Sequence, residues 1–147
     1  MIFDNLPPTS SYTLHIELGC GTGVLNAAAH DRGIDTKGYD SDLRVVEEAR
    51  RNVPEGEFYH SDLTSEADAK AVLEAVVPGN TIVTMYFVSE GLEQIKGSLL
   101  DPIRTNADVV TIGYPVDGWD GGVEVGSAFG VEWYYYPSTL STSSNKT

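Results

Sequence analysis

The chain has 147 residues, of which 22 are acidic and 9 basic, so its formal net charge is −13 at neutral pH. The length suits one domain with its own hydrophobic core, no apolar run could span a membrane, and the single cysteine excludes an internal disulfide. An acidic surface repels phosphate groups, so DNA and RNA are unfavourable partners.

The first predicted strand, Thr13–Leu18, runs into a glycine-rich turn and then into a helix near Gly23–Arg32. Gly19 would allow the tight turn, Gly21 would let the backbone lie against a ligand, and Gly23 would start the helix close to the strand. A strand, a glycine turn and a helix N-terminus in this order form a nucleotide-cofactor site, although other α/β proteins also contain glycine-rich turns.

The residue before the turn, Glu17, favours one class of cofactor. Dinucleotide sites follow the pattern G-x-G-x-x-G and rest a pyrophosphate on the helix N-terminus, whereas here Val24 stands where the third glycine would fall. A carboxylate at position 17 would repel a pyrophosphate and attract a positive amine or sulfonium. S-adenosylmethionine carries both of these groups, so we predict this cofactor.

Two more acids follow the next two predicted strands. Asp40 ends the strand Thr36–Tyr39, near the position at which nucleotide-binding units place a carboxylate for the ribose hydroxyls. Asp62 comes just after the strand Glu57–His60. Either acid could instead cap a helix, Asp62 the one that begins near Ser65 and Asp40 the one that follows it. Ser41 or Asp42 could also be the cap of that earlier helix while Asp40 binds the ribose. An acid after each of three consecutive strands is more specific than the glycines alone, which favours a cofactor site.

Strands and helices continue to alternate along the chain. The other predicted helices lie near Asp42–Asn52, Ser65–Val76 and Glu90–Arg104, and the other predicted strands are Thr81–Phe87, Asp108–Gly113, Val123–Val125 and Val131–Tyr136. This order predicts a doubly wound, mostly parallel α/β sheet with helices on both faces, ending in an antiparallel hairpin. We expect one domain over residues 1–137 and a loose tail over residues 138–147. Residues 86–90 should edge the site, because ligands of such sheets bind at the carboxyl ends of strands.

From Glu17 to Pro137, the chain resembles the class I, Rossmann-like methyltransferases that use S-adenosylmethionine, which implies a three-layer α/β/α fold. Within that class it is most similar to the small protein-lysine methyltransferases of archaea and to their mitochondrial relatives that modify an ATP-synthase subunit. The narrower likeness rests on Val83–Phe87, on Ala107–Val110, on the aromatic-Pro-x-x-Gly-Trp pattern within Gly113–Trp119, and on Trp133–Tyr136.

The resemblance implies roles for the motif residues. The cofactor would be bound by Glu17, Gly19, Cys20, Gly21 and Gly23 at its methionine part, by Asp40 and Ser41 at the ribose, by Asp62 and Leu63 at the adenine, and by Tyr86 near the reacting methyl. Tyr86 and Ser89 are the candidate catalytic residues, which would orient the acceptor amine. Tyr114 and Trp119 would wall a lysine-binding slot. Trp119 and the tyrosines at 134–136 could instead be packing residues of the hairpin.

The predicted reaction requires few catalytic groups of the site. Methyl transfer from a sulfonium to an amine needs alignment of the two groups and exclusion of water. A lysine amine has an ordinary pKa of about 10.4, and an apolar aromatic slot lowers that pKa by desolvation, so no dedicated general base is required. The three histidines lack metal-ligand spacing, so we expect no metal site, and Cys20 has no histidine near it in sequence to make it a nucleophile.

Two other functions remain open, namely a small-molecule methyltransferase on the same fold and a minimal, non-catalytic binding module. The lysine methyltransferases usually carry an acid at the position of Thr22. They also have a helix upstream of the first strand, after a Pro-Thr-Pro element, that helps to cover the cofactor. Here Pro7-Pro8-Thr9 lies only a few residues before that strand, so we expect no such helix.

The acidic surplus permits two explanations. It could attract a basic protein substrate, or it could be an adaptation to high salt, in which excess acid keeps a protein hydrated and salt screens its self-repulsion. Only four of the nine bases are lysines, which favours adaptation to high salt. The N-terminus lacks the basic and apolar regions of a signal peptide, so we expect a cytoplasmic protein.

Overall fold

The computed structural model describes residues 3, 12–87, 89–128 and 131–139. The strands are β1 Leu14–Leu18, β2 Asp35–Asp40, β3 Glu57–His60, β4 Thr81–Met85, β5 Asp108–Ile112, β6 Val123–Ala128 and β7 Val131–Tyr136. The α-helices are α1 Val24–Asp31, α2 Leu43–Asn52, α3 Glu66–Ala75, α4 Ser89–Ile95 and α5 Asp101–Asn106.

The strands form one sheet in the order β3-β2-β1-β4-β5-β7-β6. Strands β1 to β5 pair in parallel, and β7 is antiparallel to both β5 and β6. The direction of the strand order reverses between β1 and β4, and this switch point is where open α/β sheets bind their ligands. The predicted doubly wound sheet with a C-terminal antiparallel hairpin is therefore confirmed.

The two faces of the sheet pack against different helices, because successive side chains of a strand point to opposite sides. Ile16 and Leu18 belong to the larger core cluster, which buries residues of α3, α4 and α5 against one face. His15 and Glu17 point to the other face, on which α1 and α2 pack. Both β1 and β4 are buried along their whole length, as the central strands of a parallel sheet should be.

The predicted helix Glu90–Arg104 consists of α4, a π-helical turn at Lys96–Leu100, and α5. At the end of this π turn, the backbone N–H of Asp101 donates to the carbonyl of Lys96, five residues earlier. Pro102 explains the irregularity, because proline has no N–H for the carbonyl four residues before it and its ring clashes with that carbonyl.

The carboxylate of Asp108, at the start of β5, fastens three segments together. Its Oδ2 accepts hydrogen bonds from the hydroxyls of Tyr12 (2.8 Å) and Tyr135 (2.9 Å), and its Oδ1 accepts one from the backbone N–H of Ser138 (2.7 Å). Ser138 is buried, so the packed domain continues past the expected boundary at residue 137. Residues 140–147 of the expected tail, and all of residues 1–11 except Phe3, lie outside the described residues.

We expect Asp108→Asn to lower the free energy of unfolding by about 1–2 kcal/mol, because an amide offers only one acceptor oxygen to three donors. Urea denaturation measures this change. Asp117→Asn makes the same chemical change at an exposed position and is the matched control. Equal unfolding midpoints for the two variants would contradict the role of Asp108.

Candidate functional site

A cleft of about 400 Å³ opens at the carboxyl ends of β1 to β4, at the switch point of the sheet. The predicted site residues that line it are Gly19, Asp40, Ser41, Asp62, Leu63 and Tyr86. Phe87, expected at the edge of the site, also lines the cleft, whereas Val88 lies outside the described residues. The sequence motifs thus converge on one cavity.

The cleft wall also contains residues that no sequence motif predicted. They are Tyr39, Ser61 and Thr64 at the ends of β2 and β3, and Gly91, Gln94 and Ile95 on α4. The spacing of the α4 residues, i, i+3 and i+4, marks one face of a helix, and this pattern could have identified them. No comparable pattern marks the other three residues.

The glycine turn holds left-handed backbone conformations, with φ of +75° at Gly19, +53° at Gly21 and +89° at Gly23. The backbone N–H groups of Gly19 and Cys20 donate to the carbonyl of Tyr39 at 2.8 and 3.0 Å, which ties the turn to the end of β2. A Cβ at position 21 would meet no atom within 4 Å, so the backbone there is open to a ligand. A Cβ at position 23 would instead press on side chains at the end of α2.

Backbone groups hold the carboxylate of Asp40 at the edge of the cleft. Its Oδ2 accepts a hydrogen bond from the N–H of Gly21 (2.9 Å), and its Oδ1 accepts one from the N–H of Asp42 (3.0 Å). Each oxygen keeps a lone pair for a further donor. Helix α2 is capped by Asp42, which accepts from the N–H of Arg44, so the capping alternative for Asp40 is wrong.

Asp62 presents an ionised carboxylate at the end of β3. Its Oδ1 accepts hydrogen bonds from both the hydroxyl (2.6 Å) and the backbone N–H (3.0 Å) of Thr64. These two bonds lower the pKa of Asp62 below its ordinary value, because they stabilise the charged form. The cap of α3 is Ser65, whose side chain accepts from the N–H of Asp68. The capping alternative is therefore wrong for Asp62 as well.

Glu17 lies behind the glycine turn and not in the cleft. Its side chain is 3% exposed, and its Oε2 accepts a hydrogen bond from the hydroxyl of Thr84. The alternation of β1 explains this position, since Glu17 points to the α1 face while the cleft opens toward α4. The expected direct contact of Glu17 with a ligand is thus not part of this arrangement.

Cys20 is buried beside the turn and is not a nucleophile. Burial first, and then the carboxylates of Asp40 and Glu17, raise the pKa of its thiol to about 12. A thiol with so high a pKa carries almost no thiolate at neutral pH, and the thiolate is the reactive form.

The raised pKa of Cys20 predicts a loss of stability in alkali. Below its ordinary pKa of 9.0 the thiol is protonated in the folded and the unfolded protein, so its stabilising contribution is complete. That contribution is lost as the pH rises through about 12. We therefore expect the free energy of unfolding to fall less steeply above pH 9.0 in Cys20→Ala than in the wild type, measured by urea denaturation. Parallel pH profiles would contradict this.

One of the predicted acceptor-site residues, Tyr86, lines the mouth of the cleft. Tyr86 is 52% exposed, and the tip of its ring lies 4.0 Å from the point that a Cβ on Gly113 would occupy. Tyr114, the next residue after Gly113, is 40% exposed but does not line the cleft. Ser89 begins α4, and its side chain lies outside the described part of the structure.

Trp119 holds the β5–β6 loop against α5. Its indole N–H donates to Asp101 Oδ1 (2.6 Å), the guanidinium of Arg104 lies 4.8 Å from its ring centre, and its ring packs edge-on against Tyr136. These contacts match the packing alternative. The ring of Trp119 is thus engaged in packing, and its role as a wall of a lysine slot stays a prediction.

Two kinds of structural feature are absent from the described residues. No group of three or more His, Cys, Asp or Glu side chains in residues 12–87, 89–128 and 131–139 could hold a metal ion. In the same part of the chain, no helix is both long and apolar enough to traverse a lipid bilayer.

No protein-family model and no curated protein matches the sequence. Solved structures do resemble the fold. An RNA methyltransferase from Salinibacter ruber, in complex with S-adenosyl-L-homocysteine, is 21% identical, with a TM-score of 0.61 over 86% of this chain and 80% of its own. A TehB-like SAM-dependent methyltransferase from Corynebacterium glutamicum is 15% identical, with a TM-score of 0.61 over 93% and 84%.

A third similar structure is the magnesium protoporphyrin IX methyltransferase of Synechocystis with bound SAM, at 13% identity and a TM-score of 0.56 over 85% of this chain and 69% of its own. At these identities the similarity concerns the fold alone. The narrower resemblance to protein-lysine methyltransferases stays a prediction. The chain has the Rossmann-like fold of the S-adenosylmethionine-dependent methyltransferases.

Proposed function

We propose that the protein is an S-adenosylmethionine-dependent methyltransferase and that the cleft at the switch point binds the cofactor. The observation that carries this proposal is the Asp40 carboxylate, fixed by two backbone N–H groups beside the glycine turn. In this proposal the free lone pairs of Asp40 accept the ribose hydroxyls, and Asp62 accepts the adenine amine. The open backbone at Gly21 then faces the methionine part.

The charges of the cleft favour a cationic ligand without phosphates. Among its described lining residues are two carboxylates, Asp40 and Asp62, and no lysine or arginine. A pyrophosphate would find no cation here, whereas an amine or a sulfonium would be attracted. The volume of about 400 Å³ falls within the usual range of small-molecule sites. The similar structures that contain S-adenosylmethionine or its demethylated product support the same choice.

When bound, the cofactor would supply a methyl group on a sulfonium, which an acceptor nucleophile displaces in line. The residues of the chain would align the acceptor and exclude water. The ring of Phe87 contributes to exclusion, because it covers Gly19 at 3.2 Å from the point that a Cβ there would occupy. Tyr86, exposed at the rim, would orient the acceptor, and Ser89 remains a candidate for the same task.

A protein lysine is the acceptor that we propose. Tyr86 and Tyr114 follow the neighbouring strands β4 and β5, and exposed aromatic faces attract a cationic amine. The net charge of −13 attracts basic peptides and repels the phosphates of RNA, the substrate class named for the Salinibacter ruber structure. A small-molecule acceptor and a non-catalytic binding module are the alternatives.

Calorimetric titration in molar salt tests the cofactor assignment. We expect S-adenosylmethionine and S-adenosylhomocysteine to bind and NAD, a dinucleotide control, to give no heat. No heat with either of the first two ligands would contradict the proposed enzyme.

Transfer of a labelled methyl group in a cell extract tests the acceptor. Label on proteins that disappears when lysines are blocked beforehand would support a protein lysine acceptor. Label confined to small molecules would identify the first alternative. Cofactor binding without any transfer would favour the binding module.

A further inference from the structure

A chain of hydrogen bonds crosses the sheet beneath the glycine turn and ends on the carboxylate of Glu17. Asn26 Nδ2 lies 2.7 Å from Thr36 Oγ1, which lies 2.8 Å from His15 Nδ1. On the other side of the imidazole, Nε2 lies 2.7 Å from Thr84 Oγ1, which bonds to Glu17 Oε2. All five side chains are buried.

The chemistry of the groups gives this chain one direction. A carboxylate only accepts hydrogen bonds, so the hydroxyl of Thr84 must donate to Glu17. Thr84 can then accept from the imidazole, which places the proton of His15 on Nε2 and leaves Nδ1 as an acceptor. Thr36 donates to that Nδ1 and accepts from the amide of Asn26. Each hydroxyl therefore donates once and accepts once in the chain, an arrangement in which hydrogen bonds strengthen one another.

The burial of Glu17 gives these hydrogen bonds a role beyond packing. A buried carboxylate is costly unless hydrogen-bonded or paired with a cation. In the described part of the structure, no lysine or arginine lies within ion-pair distance of Glu17, and His15 Nε2 lies 3.7 Å from its Oε2. Glu17 therefore depends on the hydroxyl of Thr84, and on the groups that hold Thr84, to keep its carboxyl group in place behind the turn.

We propose that His15 and Thr36 are positioning residues, which fix the Glu17 carboxylate through Thr84 and link it to Asn26 of α1, the helix that begins at the turn. This proposal rests on the proposed function, since the ligand that benefits is the amine and sulfonium of S-adenosylmethionine. Thr36 does not line the cleft, so it acts on the ligand only through the chain of hydrogen bonds.

Calorimetry with two variants of Thr36 tests the proposal. Thr36→Val keeps the shape of the side chain and removes the hydroxyl, and we expect it to raise the Kd for S-adenosylmethionine about three- to tenfold. Thr36→Ser keeps the hydroxyl and should stay within about twofold of the wild type. In a Glu17→Gln background, the effect of Thr36→Val should largely disappear. An unchanged Kd in Thr36→Val, or the same effect in both backgrounds, would overturn the proposal.

Nitrogen NMR of the histidine ring provides a readout that does not depend on folding of the variants or on the ligand. We expect His15 of the wild-type protein to carry its proton on Nε2, and a proton on Nδ1 would overturn the proposed chain. A wild-type protein that binds neither S-adenosylmethionine nor S-adenosylhomocysteine would overturn the proposed function instead. The tautomer of His15 thus distinguishes failure of the proposed hydrogen-bond chain from failure of the proposed function.

Discussion

Replacing Asp40 by alanine is expected to raise the Kd for S-adenosylhomocysteine by about 10- to 100-fold. Hydrogen bonds to a charged group contribute about 1.5–3 kcal/mol, and about 1.4 kcal/mol corresponds to a factor of ten in affinity. Asp40 is suited to this role because the N–H groups of Gly21 and Asp42 already hold its carboxylate in place. Calorimetry measures the change in Kd directly.

Asp42→Ala is the matched control for this prediction. Asp42 lies two residues away and caps α2 through the N–H of Arg44. Its loss should lower the free energy of unfolding by about 1 kcal/mol and leave the Kd nearly unchanged. Asp40→Ala should instead raise the Kd strongly and change the free energy of unfolding little. If both variants lose stability and neither loses affinity, Asp40 has only a structural role.

The second large effect is expected at Gly38, in the middle of β2. A Cβ there would lie 2.6 Å from the ring of Phe58 and 2.8 Å from the Cβ of Cys20, closer than carbon atoms can pack. These neighbours belong to β3 and to the glycine turn, so neither can move freely. We expect Gly38→Ala to lower the free energy of unfolding by about 2–3 kcal/mol, measured by urea denaturation.

Gly97→Ala tests whether this loss comes from the clash and not from the change of residue type. A Cβ at position 97 would meet no atom within 4 Å, and the residue lies in the helical segment between α4 and α5. Alanine is favoured over glycine in helices by about 0.5–1 kcal/mol, so this variant should be as stable as the wild type or more so. A similar loss in both variants would contradict the steric explanation.

The parts of the site that follow strand ends could be predicted from the sequence. Gly19 comes directly after β1, Asp40 ends β2, and Asp62 comes two residues after the end of β3. The carboxyl ends of parallel strands meet at one edge of the sheet. The parallel pairing of β1 to β5 follows from the same alternation of strands and helices. These patterns are local, so they can be recognised in the sequence without a structure.

Other features depend on contacts between distant residues. The side chain of Glu17 bonds to Thr84, 67 residues away in sequence, and this bond holds the carboxyl group on the face that the alternation of β1 gives it. The ring of Trp119 is fixed by Asp101 and Arg104 of α5, although its sequence context indicated a slot wall. In both cases the sequence singled out the residue, but it did not show where the side chain lies in the fold.

The hydrogen bonds of Asp108 have a practical consequence for attachment chemistry. They bring the chain entering the described domain at Tyr12 and the chain leaving it at Ser138 to one point, the amino end of β5. The cleft opens at the carboxyl ends of the strands, on the opposite edge of the sheet. A fluorophore attached at the exposed Thr139 would therefore lie at the edge of the sheet opposite the cleft, where it leaves the cleft free for a ligand.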